Sequence, residues 1–250
     1  MGNRDMSWLA ERPMAHRGLH SGDGTCPENS LKAFEASVDG GFSIELDVRI
    51  LADGNVVVIH DANTHRTTGI DNPVSALDAS QIKRMLLQDS DEHIPLMHEV
   101  LELVRGQVPL LVEIKNQGAV GELESALYEM LSAYKWEYAV QSFNPDSLKW
   151  FKENAPSVKR GQLSTKTKRA DLSFYRRFLL GNLLLNRVSC PDFIGYDVRY
   201  LPNHAVTRQR RKGLPVLGWV VRSQEEYARV SKWCDNIIFE GFKPKEMPHP

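Results

Sequence analysis

The sequence predicts an α/β fold in which parallel strands close into a barrel, and three observations support this prediction. Strand-like apolar runs alternate with helix-like segments along almost the whole chain, as in parallel sheets covered by helices. Eight strand candidates with intervening helices, not counting a short run after the Asp53-Gly54 pair, favour a (β/α)8 barrel over an open sheet. The length of 250 residues suits such a barrel, and no linker, repeat or low-complexity tract divides it. We therefore expect one barrel domain over residues 1–250.

Each predicted element follows from a local signal. Aliphatic runs bounded by polar residues predict strands at 13–16, 42–50, 56–59, 108–114, 138–141, 158–163, 193–196, 216–221 and 236–239. Helical periodicity between start and stop signals predicts helices at 27–40, 82–87, 97–104, 119–133, 145–154, 206–212 and 224–233. The Asp53-Gly54 pair predicts a hairpin turn. The short strand after it is therefore expected to be an antiparallel partner of the strand before it, or a continuation past a bulge.

The composition is that of an ordinary globular protein and argues against several classes of function. The chain has 42% hydrophobic and 25% charged residues with a net charge of −1, so no global field attracts nucleic acid or an acidic membrane. It contains neither the apolar core of a signal peptide nor a run approaching the roughly 20 apolar residues of a transmembrane segment. Three widely spaced cysteines predict free thiols in a reducing, cytoplasmic setting. The sequence leaves the oligomeric state open, including a homo-oligomer.

The most informative stretch is the strand at 42–50, in which acidic residues alternate with aliphatic ones. Successive side chains of a strand point to opposite faces, so Glu45 and Asp47 point the same way. Two such carboxylates repel each other and resist desolvation, unless a cation lies between them. Glu113 adds a third carboxylate, because the carboxyl ends of barrel strands meet at one mouth. These ligands predict Mg²⁺ or Ca²⁺, with Mn²⁺ as a further candidate; the alternative for the first two is a solvated face of an edge strand.

Two histidines and two basic residues lie at the same strand ends. His16 and His60 can remove and donate protons near neutral pH, although a lone histidine is more often structural. Arg17 and Lys115 suit a phosphoryl group, with structural salt bridges to the carboxylates as the alternative. A divalent cation together with Arg17 and Lys115 fits a substrate that develops negative charge on phosphorus.

A series of short motifs follows in an order more specific than any one motif. They are His16-Arg17-Gly18, Pro27-Glu28-Asn29-Ser30, Ala33-Phe34, Glu45-Leu46-Asp47-Val48, Asp53-Gly54, Val58-Ile59-His60-Asp61, Arg66-Thr67-Thr68-Gly69, Ile94-Pro95-Leu96, Glu99-Val100-Leu101, Glu113-Ile114-Lys115 and Gln141-Ser142-Phe143. This ordered set resembles the glycerophosphodiester phosphodiesterase family. The resemblance is strong over residues 14–143, weak over 166–189, and returns near residues 218–221.

The resemblance implies a TIM-type barrel that hydrolyses small-molecule glycerophosphodiesters to glycerol 3-phosphate and an alcohol with a divalent cation, in lipid and glycerol metabolism. By position, it implies metal ligation by Glu45, Asp47 and Glu113. It also implies acid–base catalysis by His16 and His60, and phosphate contacts by Arg17 and Lys115.

The resemblance further implies four residues around the pocket. Glu28 and Asn29 match a segment at the mouth, where Glu28 holds Arg17 or reaches the metal; the alternative for this pair is helix capping alone. Phe143 and Trp219 would line the pocket, with packing in the core as their alternative.

Two features depart from the family pattern. The family usually ends its last strand with a Thr-Asp pair, whereas this chain has Phe239-Glu240-Gly241, which leaves the substrate headgroup open. The region between His60 and Glu113 is short, which predicts a reduced insertion after the second strand and a wider substrate range.

Three rival functions remain. One is a lysophospholipase D-like barrel in which residues 166–189 touch lipid; a lid, an interface helix or an amphipathic helix packed on the barrel are the alternatives for that apolar stretch. The second is a catalytically silent binding barrel, which the full set of expected ligands and histidines argues against. The third is an enolase- or aldolase-type barrel, which the histidines at the strand ends do not fit.

Overall fold

The computed structural model describes residues 6–88, 90–116, 118–166 and 174–245. Its strands are β1 (Met14–His16), β2 (Ser43–Ile50), β3 (Val56–Val58), β4 (Leu110–Ile114), β5 (Tyr138–Ser142), β6 (Lys159–Ser164), β7 (Phe193–Asp197), β8 (Val216–Val221) and β9 (Asn236–Phe239). Its α-helices are α1 (Trp8–Glu11), α2 (Leu31–Asp39), α3 (His65–Thr68), α4 (Ala79–Ile82), α5 (Met97–Val104), α6 (Glu122–Ala133), α7 (Pro145–Asn154), α8 (Phe174–Gly181), α9 (Asn186–Ser189), α10 (His204–Arg210) and α11 (Gln224–Val230). Short 3-10 turns lie at Val74–Ala76 and Val198–Tyr200.

The predicted elements agree with the structure apart from their ends and one helix. The helix expected at 82–87 is wrong, because Asp78 and Gln81 form a capping box that starts α4 earlier. Leu86 then pairs with His93 in an isolated antiparallel bridge, which a continuing helix would prevent. Part of the apolar stretch at 166–189, residues 167–173, lies outside the described residues; later parts of it form α8 and α9.

The described chain groups into two compact units, the first of which is Met14–Val140. In this unit β2 is central, since β1 and β4 both pair with it in parallel. β3 pairs with β2 in the antiparallel direction, which settles the alternative left by the Asp53-Gly54 turn in favour of a hairpin. Gly54 has a φ of 82°, a conformation that favours glycine. The register sets His16 opposite Glu45 and Asp47 opposite Glu113, so β2 aligns both flanking strand ends with its own acidic residues.

The segment between β3 and α5 is the one in which the sequence predicts a reduced insertion. It contains α3, α4 and one 3-10 turn, and it has a small apolar cluster of its own. The buried members of that cluster are Leu51, Val57, Ile59, Val74, Leu77, Ile82, Leu87, Ile94 and Leu96. Burial of these side chains fixes the segment that follows His60.

The second unit comprises Met1–Pro13 and Gln141–Pro250. Strands β6, β7, β8 and β9 pair in parallel in sequence order. The amide of Asn236 on β9 donates to the carbonyls of Leu9 and Arg12, at 2.7 Å each, which ties α1 to this strand. Gly161 on β6 leaves room for the ring of Phe193, because a Cβ at that glycine would lie only 2.1 Å from the ring.

The topology is that of the (β/α)8 class, with parallel strands in chain alternation with helices and β3 as an added antiparallel strand. The predicted fold class is therefore confirmed, while one domain over the whole chain, a cytoplasmic location and a homo-oligomer stay predictions. Within the described ranges, none of the helices combines the length and the apolar character that crossing a bilayer needs.

Candidate active site

Three buried carboxylates meet in the first unit. Glu45 and Asp47 project from the same face of β2, and β4 places Glu113 directly opposite Asp47 in the strand register. One oxygen from each of the three side chains lies within 4.8 Å of the others. Their relative exposures are 1%, 0% and 7%, so the solvated-face alternative for Glu45 and Asp47 is wrong.

The electrostatics of this acidic cluster are unbalanced. Burial raises the pKa of Glu45, and the neighbouring charges of Asp47 and Glu113 raise it further. Burial also raises the pKa of Glu113 above its ordinary value. Asp47 differs, because the charges of Lys115 and Arg17 outweigh its burial and lower its pKa. The negative charge of the cluster is therefore only partly balanced by the side chains of Lys115 and Arg17.

A hard divalent cation fits this cluster. Carboxylate oxygens at such spacing are the ligands that Mg²⁺ and Ca²⁺ prefer. In addition, the buried Oδ1 of Asp47 lacks a hydrogen-bond donor in the described structure, although Lys115 Nζ lies 3.2 Å from it as an ion-pair partner. An oxygen in this condition is available to a metal.

Lys115 and Arg17 flank the cluster, as their positions at strand ends predicted. Lys115 Nζ lies 2.6 Å from Glu113 Oε1 and 3.2 Å from Asp47 Oδ1, and these charges raise the pKa of Lys115 despite the opposing effect of burial. Arg17 Nε lies 3.3 Å from Asp47 Oδ2, and its backbone N–H donates to Glu45 at 3.2 Å. Ion pairs with the carboxylates are thus present for both residues, and their contact with a phosphate stays a prediction.

Glu28 and Asn29 orient these groups. Glu28 Oε1 accepts from Arg17 Nη1 at 2.7 Å, so Glu28 holds Arg17. Asn29 donates to Asp47 Oδ2 at 3.1 Å from a backbone with a φ of 54°, and strained conformations of this kind occur where function fixes them. Helix capping is not the role of either residue, because Ser30 is the N-cap of α2 and accepts from the N–H of Ala33.

Both histidines lie beside β2, at or just beyond the ends of strands that pair with the edge of β2 away from β4. His16 ends β1 opposite Glu45, and His60 follows β3. Both imidazoles act electrostatically on Asp47. His60 Nδ1 lies 2.6 Å from Asp61 Oδ1, and burial lowers the pKa of His60 to about 4, which leaves this imidazole neutral at pH 7.

Arg49 belongs to the site and was missed in the sequence. It is the third member of the series that alternates along β2 after Glu45 and Asp47. It is 9% exposed, and it donates to the His60 carbonyl from Nε at 2.9 Å and from Nη2 at 2.6 Å. Its Nη1 donates to the Lys115 carbonyl at 3.1 Å. The signal was available, because a basic residue in register with two carboxylates also needs a partner.

Replacing Arg49 by methionine is expected to lower the free energy of unfolding by about 2–4 kcal/mol, because two carbonyls lose a charged donor. The urea midpoint of the variant should fall with an unchanged slope. Arg84, exposed near the end of α4, provides the matched control Arg84→Met. Equal midpoints for the parent and Arg49→Met would contradict the assigned contacts.

Phe143 and Trp219 lie in the second unit. Their rings meet edge to face with centroids 5.5 Å apart. Their expected part in lining the pocket stays a prediction.

The comparison with known families decides the assignment of the chain. A model of the Glycerophosphoryl diester phosphodiesterase family matches residues 16–241. The chain belongs to this family. The resemblance predicted from the ordered motifs is thereby confirmed, and the enzyme class of this family, phosphoric diester hydrolases, is the one that the sequence predicted.

Relatives in this family differ in the activity for which they are named. The chain is 34% identical over 162 residues to the glycerophosphodiester phosphodiesterase of Caldanaerobacter subterraneus, a match covering 60% of this chain and 65% of that protein. It is 33% identical over 160 residues to lysophospholipase D GDPD1 of Rattus norvegicus, covering 58% and 49% respectively. The chain thus spans less than two thirds of these two relatives.

One solved structure has the same fold over nearly the whole chain. It is a phosphodiesterase of Oleispira antarctica in complex with the product sn-glycerol-3-phosphate. The two structures match with a TM-score of 0.77 and 21% identity, covering 93% of each chain. At that identity the likeness supports the fold assignment alone.

Proposed function

We propose that this chain hydrolyses glycerophosphodiesters to glycerol 3-phosphate and an alcohol, as part of lipid and glycerol metabolism. The observation that carries the proposal is the meeting of Glu45, Asp47 and Glu113 within 4.8 Å, flanked by Arg17 and Lys115. Membership in the family supports the substrate class. The short segment between β3 and α5 supports a site that accepts more than one alcohol group.

In this proposal the carboxylate cluster holds a divalent cation, which when bound supplies Lewis acidity toward a phosphoryl oxygen. Arg17 and Lys115 add positive charge where negative charge develops on phosphorus. Glu28 keeps the Arg17 guanidinium aligned by accepting a hydrogen bond from its Nη1 at 2.7 Å. Asn29 keeps Asp47 in place through its amide.

His60 is the proposed general base. A carboxylate only accepts hydrogen bonds, so the proton between His60 Nδ1 and Asp61 Oδ1 is carried by the imidazole. The Nε2 atom of the neutral ring is then free to remove a proton from the nucleophile. That nucleophile is either a water molecule or the glycerol hydroxyl adjacent to the phosphate. His16, at the end of β1, is the proposed acid that protonates the leaving alkoxide.

The test is an activity panel of glycerophosphodiesters with different alcohol groups, assayed with Mg²⁺, Mn²⁺ and Ca²⁺ and with EDTA. Release of glycerol 3-phosphate is measured directly. We expect turnover of several substrates with at least one cation, and loss of turnover with EDTA. No release from any substrate with any of the three cations would reject the proposal in favour of a silent binding barrel.

A lysophospholipase D activity is the second candidate, and the match to the rat protein of that name favours it. Comparing the turnover of glycerophosphocholine with that of lysophosphatidylcholine distinguishes these two activities. Faster turnover of the glycerol diester supports the first proposal, while a preference for the lysolipid supports the second.

A further inference from the structure

Arg66 connects the two halves of the proposed site. It lies in the first turn of α3, with its side chain half exposed, so it contributes little to the apolar core. Its Nη1 and Nη2 donate to both oxygens of Glu28, at 3.0 Å and 2.7 Å. Its Nε donates to Asp61 Oδ2. One guanidinium therefore holds two carboxylates at once.

Each of those carboxylates holds a further residue of the site. Glu28 Oε1 also accepts from Arg17 at 2.7 Å, and Asp61 Oδ1 contacts His60 Nδ1 at 2.6 Å. The result is a continuous chain of charged contacts in the order Arg17, Glu28, Arg66, Asp61, His60. A planar, forked donor is needed at its centre, because a lysine ammonium cannot engage both oxygens of one carboxylate side by side while reaching a second.

The backbone around Arg66 is built to hold this fork. The buried Thr64 accepts the N–H groups of Thr67 and Thr68 through its carbonyl and donates its hydroxyl to Ile70 O at 2.6 Å. Gly69 ends α3 at a φ of 75°. The short helix is thus fixed at both ends without the Arg66 side chain, and a substitution at Arg66 is expected to leave it folded.

We propose that Arg66 is a positioning residue that fixes the orientation of the His60 imidazole through Asp61 and of the Arg17 guanidinium through Glu28. This inference rests on the proposed function. In this inference Arg66 holds the carboxylates of Glu28 and Asp61 in place. The proton-accepting nitrogen of His60 and the proposed phosphate-binding guanidinium of Arg17 therefore keep a fixed separation.

The test compares Arg66→Ala, Arg66→Lys and the control Arg84→Ala, which removes an exposed arginine of the same unit. Loss of a group that orients active residues typically lowers activity about 10- to 100-fold, and we expect a fall of this size in kcat/KM for Arg66→Ala and only partial recovery in Arg66→Lys. Free guanidinium at a non-denaturing concentration should raise kcat of Arg66→Ala alone, whereas urea at the same concentration should not. Values within two-fold of the parent would overturn the proposal, provided that the parent is active.

A second measurement does not depend on activity. The ¹⁵N chemical shifts of the His60 ring report which nitrogen carries the proton, and we expect the Nδ1-protonated form to dominate in the parent and in Arg84→Ala. In Arg66→Ala the shifts should move toward a mixture of the two tautomers. Unchanged His60 shifts in Arg66→Ala would overturn the proposal, whether or not the parent is active. A parent that hydrolyses none of the diesters would by itself reject only the proposed function.

Discussion

Replacing His60 by alanine is expected to lower kcat by roughly 10²-fold or more, the usual contribution of a positioned general acid or base. The expectation follows from the contact between His60 Nδ1 and Asp61, 2.6 Å long, and from the half-buried position of the ring, which lowers its pKa to about 4 and keeps it neutral at pH 7. KM should change less than kcat, because proton transfer stabilises the transition state and not the bound diester.

His16→Ala is the companion variant, and a loss of similar size is expected if His16 protonates the leaving alkoxide. His98, exposed on α5, provides the matched control, and His98→Ala should retain the parent rate. A diester whose leaving alcohol has a low pKa should lose less activity in the variant that lacks the general acid, which distinguishes the two histidines. Near-normal turnover in both His16→Ala and His60→Ala would refute acid–base catalysis by this pair.

The placement of the acidic cluster could be predicted because it depends on simple strand geometry. A period of two puts Glu45 and Asp47 on one face, and parallel strands bring the carboxyl end of β4 to the same edge. The structure adds the register of β2 against β4, in which Asp47 lies opposite Glu113. A sequence does not specify this register on its own.

The contacts of Arg66 could not be predicted in the same way. In the sequence, Arg66 was visible only as part of a motif. Its partners Glu28 and Asp61 lie 38 and 5 residues away along the chain. Whether their side chains reach Arg66 depends on how the short helices after β3 pack. The capping box of Asp78 and Gln81, which starts α4 early and made the predicted helix at 82–87 wrong, is a further local feature of that segment. Long-range side-chain contacts of this kind follow from loop conformation, for which hydrophobic periodicity carries little information.

Replacing Glu45 by glutamine is expected to weaken binding of the divalent cation on the order of 100-fold or more, because a carboxylate ligand with full negative charge becomes a neutral amide. The side chain keeps its size and its acceptor oxygen for the backbone N–H of Arg17. Titration calorimetry with Mg²⁺, Mn²⁺ and Ca²⁺ measures the affinity without reference to turnover. Glu129→Gln, on the exposed face of α6 in the same unit, is the matched control.

The same variant should not lose stability when the cation is absent. Burial and the charges of Asp47 and Glu113 raise the pKa of Glu45, so the folded protein retains a proton there that the unfolded chain loses at lower pH. The stability of the metal-free parent therefore falls as pH rises from the ordinary carboxyl pKa toward the raised value in the folded state. A glutamine at this position does not ionise, so Glu45→Gln should flatten this fall and match or exceed the parent in thermal midpoint at neutral pH.

These two readouts separate a metal ligand from a structural acid. A structural role for Glu45 predicts a lower thermal midpoint in Glu45→Gln and an unchanged cation affinity, since the residue would then stabilise the fold through its charge. A ligand role predicts the reverse, because a charge held in a buried cluster against repulsion is tolerated only for the ion that it binds. Full restoration of activity by Mg²⁺ or Ca²⁺ at parent-like concentrations in Glu45→Gln would remove this residue from the proposed metal site.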